Sequence, residues 1–139
     1  SLLGGMALAN AKLGAVHGFA GALGGVTGAA HGAICGYLLP YVTEANINAL
    51  KNANDQAKLH RYEQITHWLT GADDASLDEL IHWLFTLTQE NNIPSLGQMG
   101  LTEQDIASVV SQSKRSSSMK GNPITLSDDE LTGILEAAL

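Results

Sequence analysis

The sequence predicts an all-α domain of about six or seven helices, and three observations support this fold class. Apolar residues recur every three or four positions through most of the chain, and no stretch alternates apolar and polar residues long enough to require a strand. Serine, threonine or aspartate stands before several of these segments, where such residues cap helices. At 139 residues the chain has the length of a single domain.

The first third of the chain is apolar and rich in glycine. The 30 residues from Leu13 to Val42 contain no Asp, Glu, Lys or Arg but eight glycines and two histidines. A run of this length is long enough for a membrane hairpin, because about 18 apolar residues can span a bilayer. The glycines, the few large aliphatic side chains and Pro40, which is expected to interrupt the far end, favour a buried helical layer instead.

The glycines also predict where one helix of this layer ends and the next begins. We expect a helix to end near Gly24, a loop over residues 26–30, and a second helix to start at His31. The scarcity of charge predicts that the layer is dry and buried.

Two further helices are predicted in the middle of the chain. Apolar residues at helical spacing favour a helix over Asp55–Leu69, which Gly71 ends. Ser76 and Glu79 have the spacing of a capping box, and apolar residues then recur at helical spacing as far as Leu87.

The C-terminal third contains two loops and two helices. Ile93–Gly100 holds proline and glycine and predicts a loop, after which Thr102 caps a helix. The polar stretch Ser116–Pro123 predicts a second loop. Ser127 and Glu130 form another capping box and start the last helix.

Charge and cysteine content exclude some classes of protein. The formal net charge of −7 and the pI near 5.0 argue against a nucleic-acid-binding protein, which needs a basic face to neutralise phosphate. The single cysteine excludes a disulfide framework and fits a reducing compartment, so we expect a cytoplasmic protein.

His17 and His31 are the candidate metal ligands of the uncharged run. Their separation of 14 residues is too wide for one helix turn but suits a helix, a loop and a new helix. A histidine in the first turn of a helix faces its positive end, which favours the neutral imidazole that binds metals. Zinc or iron needs three or more protein ligands, so spacing alone favours two core histidines hydrogen-bonded to carbonyl groups.

The remaining cysteine and histidines give weaker signals. Cys35 lies four residues after His31 and could complete a ligand set, but a lone cysteine is more often a small buried apolar residue, the role we favour. His60, His67 and His82 lie among charged and aromatic residues, and we expect them at the surface or at an interface.

Two separated parts of the sequence match a known pattern. They comprise Asn10–Ala20, Leu23–Gly25, His31–Cys35 and Leu38–Pro40 in the first 42 residues, and Ser118–Pro123 and Leu126–Leu131 near the end. Together they resemble the iron-containing (metal-dependent) alcohol dehydrogenase family. The first part is the stronger match, and the shared order of the two argues against chance agreement.

The resemblance implies a fold and a place within a larger enzyme. Members of the family consist of an N-terminal nucleotide-binding α/β domain and a C-terminal all-helical domain of the dehydroquinate synthase-like type. We therefore expect residues 1–139 to form one all-helical domain, the C-terminal part of a longer two-domain enzyme whose nucleotide-binding domain is absent from these residues.

The resemblance also implies site residues. The family binds its metal through one aspartate and three histidines, and His17 and His31 fall on the last two histidine positions. Leu8 falls where members line the substrate pocket. Gly21 stands where many members have a histidine beside the reacting centre, and Ala30 where a proline is common, which changes the expected pocket.

The implied activity is hydride transfer between an alcohol carbon and NAD or NADP. A divalent metal, Fe²⁺ first and Zn²⁺ as the alternative, would polarise the carbonyl, and no residue of this chain is assigned a proton transfer.

The expected partners are the remainder of the same enzyme, a small alcohol or carbonyl substrate, and a second copy in a homodimer, with no nucleic acid and no membrane. We expect the isolated chain to be inactive and to bind metal weakly. The alternative function is a non-catalytic helical interaction or oligomerisation domain, which would need no metal.

Overall fold

The structure is a computed structural model that describes residues 2–139, and it confirms the predicted all-α class. Those residues form seven α-helices and one 3₁₀ turn, and no strand occurs among them. The elements are α1 (Leu2–Ala11), α2 (Ala15–Thr27), α3 (His31–Asn52), α4 (Gln56–Thr70), α5 (Leu77–Glu90), α6 (Glu103–Ser113), the 3₁₀ turn (Met119–Gly121) and α7 (Asp128–Ala137).

The middle helices begin and end where the sequence predicts. The Asp55 carboxylate accepts a hydrogen bond from the Lys58 backbone N–H at 3.2 Å at the start of α4. Gly71, in the left-handed region with φ of +73°, ends that helix. At the start of α5, the Ser76 N–H donates to Glu79 Oε2 at 2.6 Å and the Glu79 N–H donates to Ser76 Oγ at 3.3 Å. This is the predicted capping box.

The last two helices are capped in the same way. The Thr102 N–H donates to Asp105 Oδ2 at 3.1 Å before α6. The Ser127 N–H donates to Glu130 Oε2 at 2.7 Å before α7, and the Glu130 N–H donates to Ser127 Oγ at 3.2 Å. Polar side chains thus satisfy backbone groups that a helix start leaves unpaired.

The turn between α2 and α3 lies close to its predicted place. Helix α2 continues to Thr27, slightly past the expected end, and Gly28 follows with φ of +68° and an N–H bonded to the Gly24 carbonyl. Helix α3 then starts at His31, as predicted.

The expected interruption at Pro40 is wrong. Helix α3 runs through this residue to Asn52. A proline inside a helix removes one backbone hydrogen bond, but α3 buries Leu38 before it and Val42 and Ile47 after it. Burial on both sides of the proline outweighs the lost bond, because packing supplies most of the stability of helices in proteins.

Two hydrophobic clusters share the long helix α3. In the larger one, Phe19 and Leu23 of α2 pack with Ile34 and Leu38 of α3 and with buried residues of α6 and α7. The smaller cluster joins the end of α3 to the middle helices and consists of Ile47, Leu50, Leu59, Leu80 and Leu84. One side of the α2–α3 pair therefore packs against the core.

The expectation of a buried layer over residues 13–42 holds for one face of α2 and for the first part of α3, whereas α1, which precedes this layer, is exposed. Helix α1 buries none of its residues, and its apolar side chains Leu2, Leu3, Met6 and Leu8 are exposed. Between residues 2 and 139, no helix is both long and apolar enough to cross a bilayer.

The loop that contains the 3₁₀ turn packs directly on the start of α2. A Cβ atom on Gly121 would lie 2.0 Å from the Leu13 carbonyl oxygen, so only glycine fits at this approach. A Cβ on Gly18 would lie 2.8 Å from Met119 Cε. The two parts of the sequence that carry the family resemblance are therefore in contact.

Candidate metal centre

His17 and His31 lie side by side although 14 residues separate them. His17 is in the first turn of α2 and His31 is the first residue of α3. The two ring centroids are 5.3 Å apart, with 54° between the ring planes. The turn at Gly28 makes this possible, because it reverses the chain and lets α3 pack along α2.

Cys35 joins the two histidines. It lies one turn after His31 on α3, and its Sγ is 3.4 Å from His31 Nε2. One nitrogen from each of His17 and His31 and the Cys35 sulfur all lie within 4.8 Å of one another. The sequence favoured a small buried apolar role for Cys35, but the structure places it half-buried with its thiol against an imidazole. Burial raises the pKa of the Cys35 thiol.

The cluster is at the surface of the described residues. His31 is exposed and His17 is half-buried. The interpretation of both as core histidines is therefore wrong. The reason is geometric: the faces of α2 and α3 that enter the core carry Phe19 and Ile34, while the histidines point away from it.

The donor set fits a divalent metal ion. Neutral imidazoles are common ligands of iron and zinc, with metal–nitrogen distances of about 2.0–2.1 Å. Two nitrogens on one ion can therefore be no more than about 4.2 Å apart. The donor atoms of His17 and His31 lie within 4.8 Å of each other, close to this limit.

A groove of about 560 Å³ begins at the candidate site and runs between the helices toward Tyr62. Burial raises the pKa of Tyr62, and a hydrogen bond with Asn46 opposes that shift. The groove walls are mainly apolar, and residues that line it include His17, Cys35, Leu39, Val42, Ile65, Leu69, Leu80 and Leu84.

Asn122 organises the region behind His17, and the sequence reasoning did not single it out. Its Oδ1 accepts a hydrogen bond at 3.0 Å from the N–H of Ala15, the first residue of α2. Its Nδ2 donates to Asn46 Oδ1 at 2.6 Å and to the Ile124 carbonyl at 2.8 Å. The sequence marks Asn122 only as a member of the matching segment Ser118–Pro123. Its role could not be predicted from that, because it depends on a hydrogen bond to Ala15, which is 107 positions away in the sequence.

Leu8 and Gly21 are the other predicted site positions, on α1 and α2. Leu8 is 52% exposed on α1. Gly21 is one turn after His17 on α2, and a Cβ there would meet nothing within 4 Å. Within the part of the chain that the structure describes, the metal-binding geometry is confined to His17, His31 and Cys35. The remaining histidines lie elsewhere: His60 and His82 are exposed and His67 is half-buried.

Comparison with known proteins identifies the family of the chain. The sequence profile of the "Fe-containing alcohol dehydrogenase family, C-terminal" matches residues 1–139, the full length of the chain. The chain belongs to this family. Its helices are those of the C-terminal domain of iron-containing alcohol dehydrogenases, which confirms the expected fold and the resemblance.

Individual members of the iron-containing alcohol dehydrogenase family are about three times as long as the part that this chain matches. It is 32% identical to alcohol dehydrogenase 4 of Saccharomyces cerevisiae, over 98% of the chain and 34% of the yeast protein. It is also 32% identical to 1,3-propanediol dehydrogenase of Citrobacter freundii, over 99% of the chain and 35% of that enzyme. The chain thus spans about a third of the length of the curated relatives it matches.

The chain also covers about a third of the length of solved structures of the family. The crystal structure of a 1,3-propanediol oxidoreductase matches the whole chain with a TM-score of 0.85 and 28% identity, and 36% of that protein is covered. The alcohol dehydrogenase from Oenococcus oeni matches 97% of the chain with a TM-score of 0.81 and 27% identity, and 35% of it is covered.

Proposed function

We propose that this chain is the C-terminal helical domain of a metal-dependent, NAD(P)-linked alcohol dehydrogenase, in which it supplies two metal ligands, His17 and His31. The observation that carries the proposal is the convergence of two imidazoles from the first turns of α2 and α3. They converge in a chain that matches the iron-containing alcohol dehydrogenase family along its whole length.

His17 and His31 hold and orient the ion without transferring protons. His17 lies in the first turn of α2 and His31 begins α3, and imidazole is the commonest metal ligand in proteins. When bound, the ion, Fe²⁺ or Zn²⁺, supplies Lewis-acid polarisation of the alcohol or carbonyl oxygen. Asn122 and Gly121 fix the start of α2 and so the position of His17.

The remaining parts of the catalytic centre come from elsewhere in a longer enzyme chain. Two imidazoles leave a coordination sphere open, because such sites take three or more protein ligands. The exposure of His31 and of the apolar residues of α1 supports a covering domain. That domain would bind NAD or NADP, and the chain's share of about a third of its relatives leaves room for it.

The substrate is a small alcohol or the matching carbonyl compound. The support comes from relatives that are named alcohol dehydrogenase and 1,3-propanediol dehydrogenase. Leu8 would contribute an apolar wall of the pocket. Gly21, in open space one turn after His17, would leave room beside the ion and would contribute no side chain for proton transfer.

The test uses His17→Ala and His31→Ala, with His82→Ala as the control because His82 is an exposed histidine on α5. In the complete enzyme that carries this chain, we expect the first two changes to remove bound metal and NAD(P)-linked alcohol oxidation while helix content is kept. Metal analysis, reduced-nicotinamide absorbance and circular dichroism give these quantities. Full metal content and activity in both variants would show that the ligand assignment is wrong.

The 139-residue chain itself provides a second test. With a divalent metal, NAD or NADP and 1,3-propanediol, we expect no reduced cofactor to form, because the nucleotide site and the other ligands are missing from it. Measured turnover would contradict the proposed division of the enzyme into two domains.

A further inference from the structure

We propose that Cys35 is a third metal donor of this chain and that the resulting pair of imidazoles and one thiolate makes the site prefer zinc to iron. This inference rests on the proposed function, because it takes His17 and His31 as ligands. It adds a donor of a different kind, since the set that the family resemblance implies contains only an aspartate and histidines.

The distance between Cys35 and His31 fits two donors on one shared ion. On a tetrahedral ion with a metal–nitrogen distance of about 2.0–2.1 Å and a metal–sulfur distance of about 2.3 Å, the two donor atoms are about 3.5 Å apart. The observed distance from Cys35 Sγ to His31 Nε2 is 3.4 Å. These two donors therefore already have the separation that one shared ion requires, and His17 is close enough to join them.

The local sequence explains this placement. His31 and Cys35 are four residues apart in the first turns of α3, so their side chains lie on one face of the helix. His17 reaches the same point from α2. When a metal binds, the Cys35 S–H proton passes to water and a sulfur electron pair forms the metal–sulfur bond.

The chemistry of the donors determines which ions are preferred. Within residues 2–139, the cluster contains two imidazoles and one thiol and no carboxylate. Thiolate selects softer ions such as zinc, whereas oxygen donors suit magnesium, calcium and manganese. Zinc also stands above iron in the general order of affinity for such sites.

A simple hydrogen bond between the thiol and His31 would have a similar length, so the experiment must detect the metal–sulfur bond itself. The full 139-residue chain is titrated with Co²⁺ alone, as wild type and as Cys35→Ser, Cys35→Ala and His82→Ala. We expect near-ultraviolet thiolate-to-cobalt absorption in the wild type and in His82→Ala, and its loss in both Cys35 variants.

The Zn²⁺ and Fe²⁺ affinities of the wild type and of Cys35→Ser test the contribution of Cys35 independently. Loss of partners that only orient a ligand already lowers metal affinity by roughly 10- to 100-fold. We therefore expect Cys35→Ser to weaken Zn²⁺ binding by more than about tenfold, and to weaken Fe²⁺ binding less. An unchanged ratio of the two affinities would overturn the inferred zinc preference.

The outcomes separate this inference from the proposed function. Cobalt binding that depends on His17 and His31 but shows no thiolate band overturns the role of Cys35 and leaves the histidine pair intact. No cobalt binding in the wild-type chain overturns this inference, whereas the histidine assignment is decided by the metal content of His17→Ala and His31→Ala in the complete enzyme. Cobalt binding that is unaffected by His17→Ala overturns both.

Protection of the thiol gives a measurement that needs no Cys35 variant. Cys35 is the one cysteine of the sequence, so a thiol reagent reports on it alone. We expect Zn²⁺ to slow its modification in the wild type and not in His31→Ala. Equal rates with and without Zn²⁺ in the wild type would overturn the proposal.

Discussion

Helices α1 and α2 are both apolar and glycine-rich, yet only α2 enters the core. Phe19 and Leu23 of α2 are fully buried, whereas Met6 and Leu8 of α1 are more than half exposed. Helix α2 packs against α3, α6 and the 3₁₀ turn, and α1 buries nothing in this chain. Apolar composition therefore gives a helix the capacity to be buried, and the presence of a partner surface decides whether it is.

The largest expected difference comes from truncating one large apolar residue on each helix. Phe19→Ala is expected to lower the free energy of unfolding by about 3–5 kcal/mol, because it leaves a cavity in the larger core cluster. Leu8→Ala is expected to change it by less than about 0.5 kcal/mol. Urea unfolding of both variants measures this, and comparable losses would show that α1 is packed against the core in solution.

Close approach at the start of α2 gives the next largest effect. Gly121→Ala places a Cβ 2.0 Å from the Leu13 carbonyl oxygen, so backbone must move and we expect a loss of about 3 kcal/mol. Gly133→Ala is the matched control, because a Cβ there meets nothing within 4 Å. Equal stability of the two variants would contradict the contact between the 3₁₀ turn and α2.

The hydrogen bonds of Asn122 should have a smaller effect. Asn122→Ala leaves the Ala15 N–H without a partner and removes the Asn122 hydrogen bond to the buried Asn46 side chain, for an expected loss of about 2 kcal/mol. Asn10→Ala removes an exposed bond to the Met6 carbonyl and should have little effect. The comparison is made by thermal and urea unfolding. A neutral Asn122→Ala would show that this network does not secure α2.

The same substitution on the two helices should give the smallest effects, of opposite sign. Gly4→Ala in open space on α1 should raise helix content, since alanine favours a helix over glycine by about 1 kcal/mol. Gly18→Ala on α2 meets Met119 Cε at 2.8 Å and should cost about 1 kcal/mol. Circular dichroism and unfolding midpoints test both, and a stabilising Gly18→Ala would weaken the contrast between the helices.

Local chemistry made most of the helix boundaries predictable. Asp55, Ser76 and Ser127 cap their helices through side chains within three residues, and Gly71 ends α4 at a positive φ. Such signals act over one turn, so they are complete in the sequence. The failure at Pro40 has the opposite origin, because burial on both sides of it is a property of the assembled core.

The sequence predicted which histidines form the candidate site, but it did not predict how exposed they are or where the Cys35 thiol lies. The uncharged run and the family resemblance identified His17 and His31, and the structure brings them together. Their exposure and the position of the Cys35 thiol depend on how α2 and α3 are rotated about their axes. Helix rotation is set by which side chains pack in the core, here Phe19 on α2 and Ile34 on α3, and not by a local signal.

The helical class, the capped boundaries, the start of α3 at His31 and the family of the chain follow from the amino-acid sequence alone. Hydrophobic period, caps and motifs are properties of neighbouring residues, so they can be recognised without the fold. The exposure of α1, the bond from Asn122 to α2 across 107 positions, and the meeting of Cys35 with His31 and His17 follow only from the packed structure. Those facts depend on packing between helices, which pairs surfaces that are far apart along the chain.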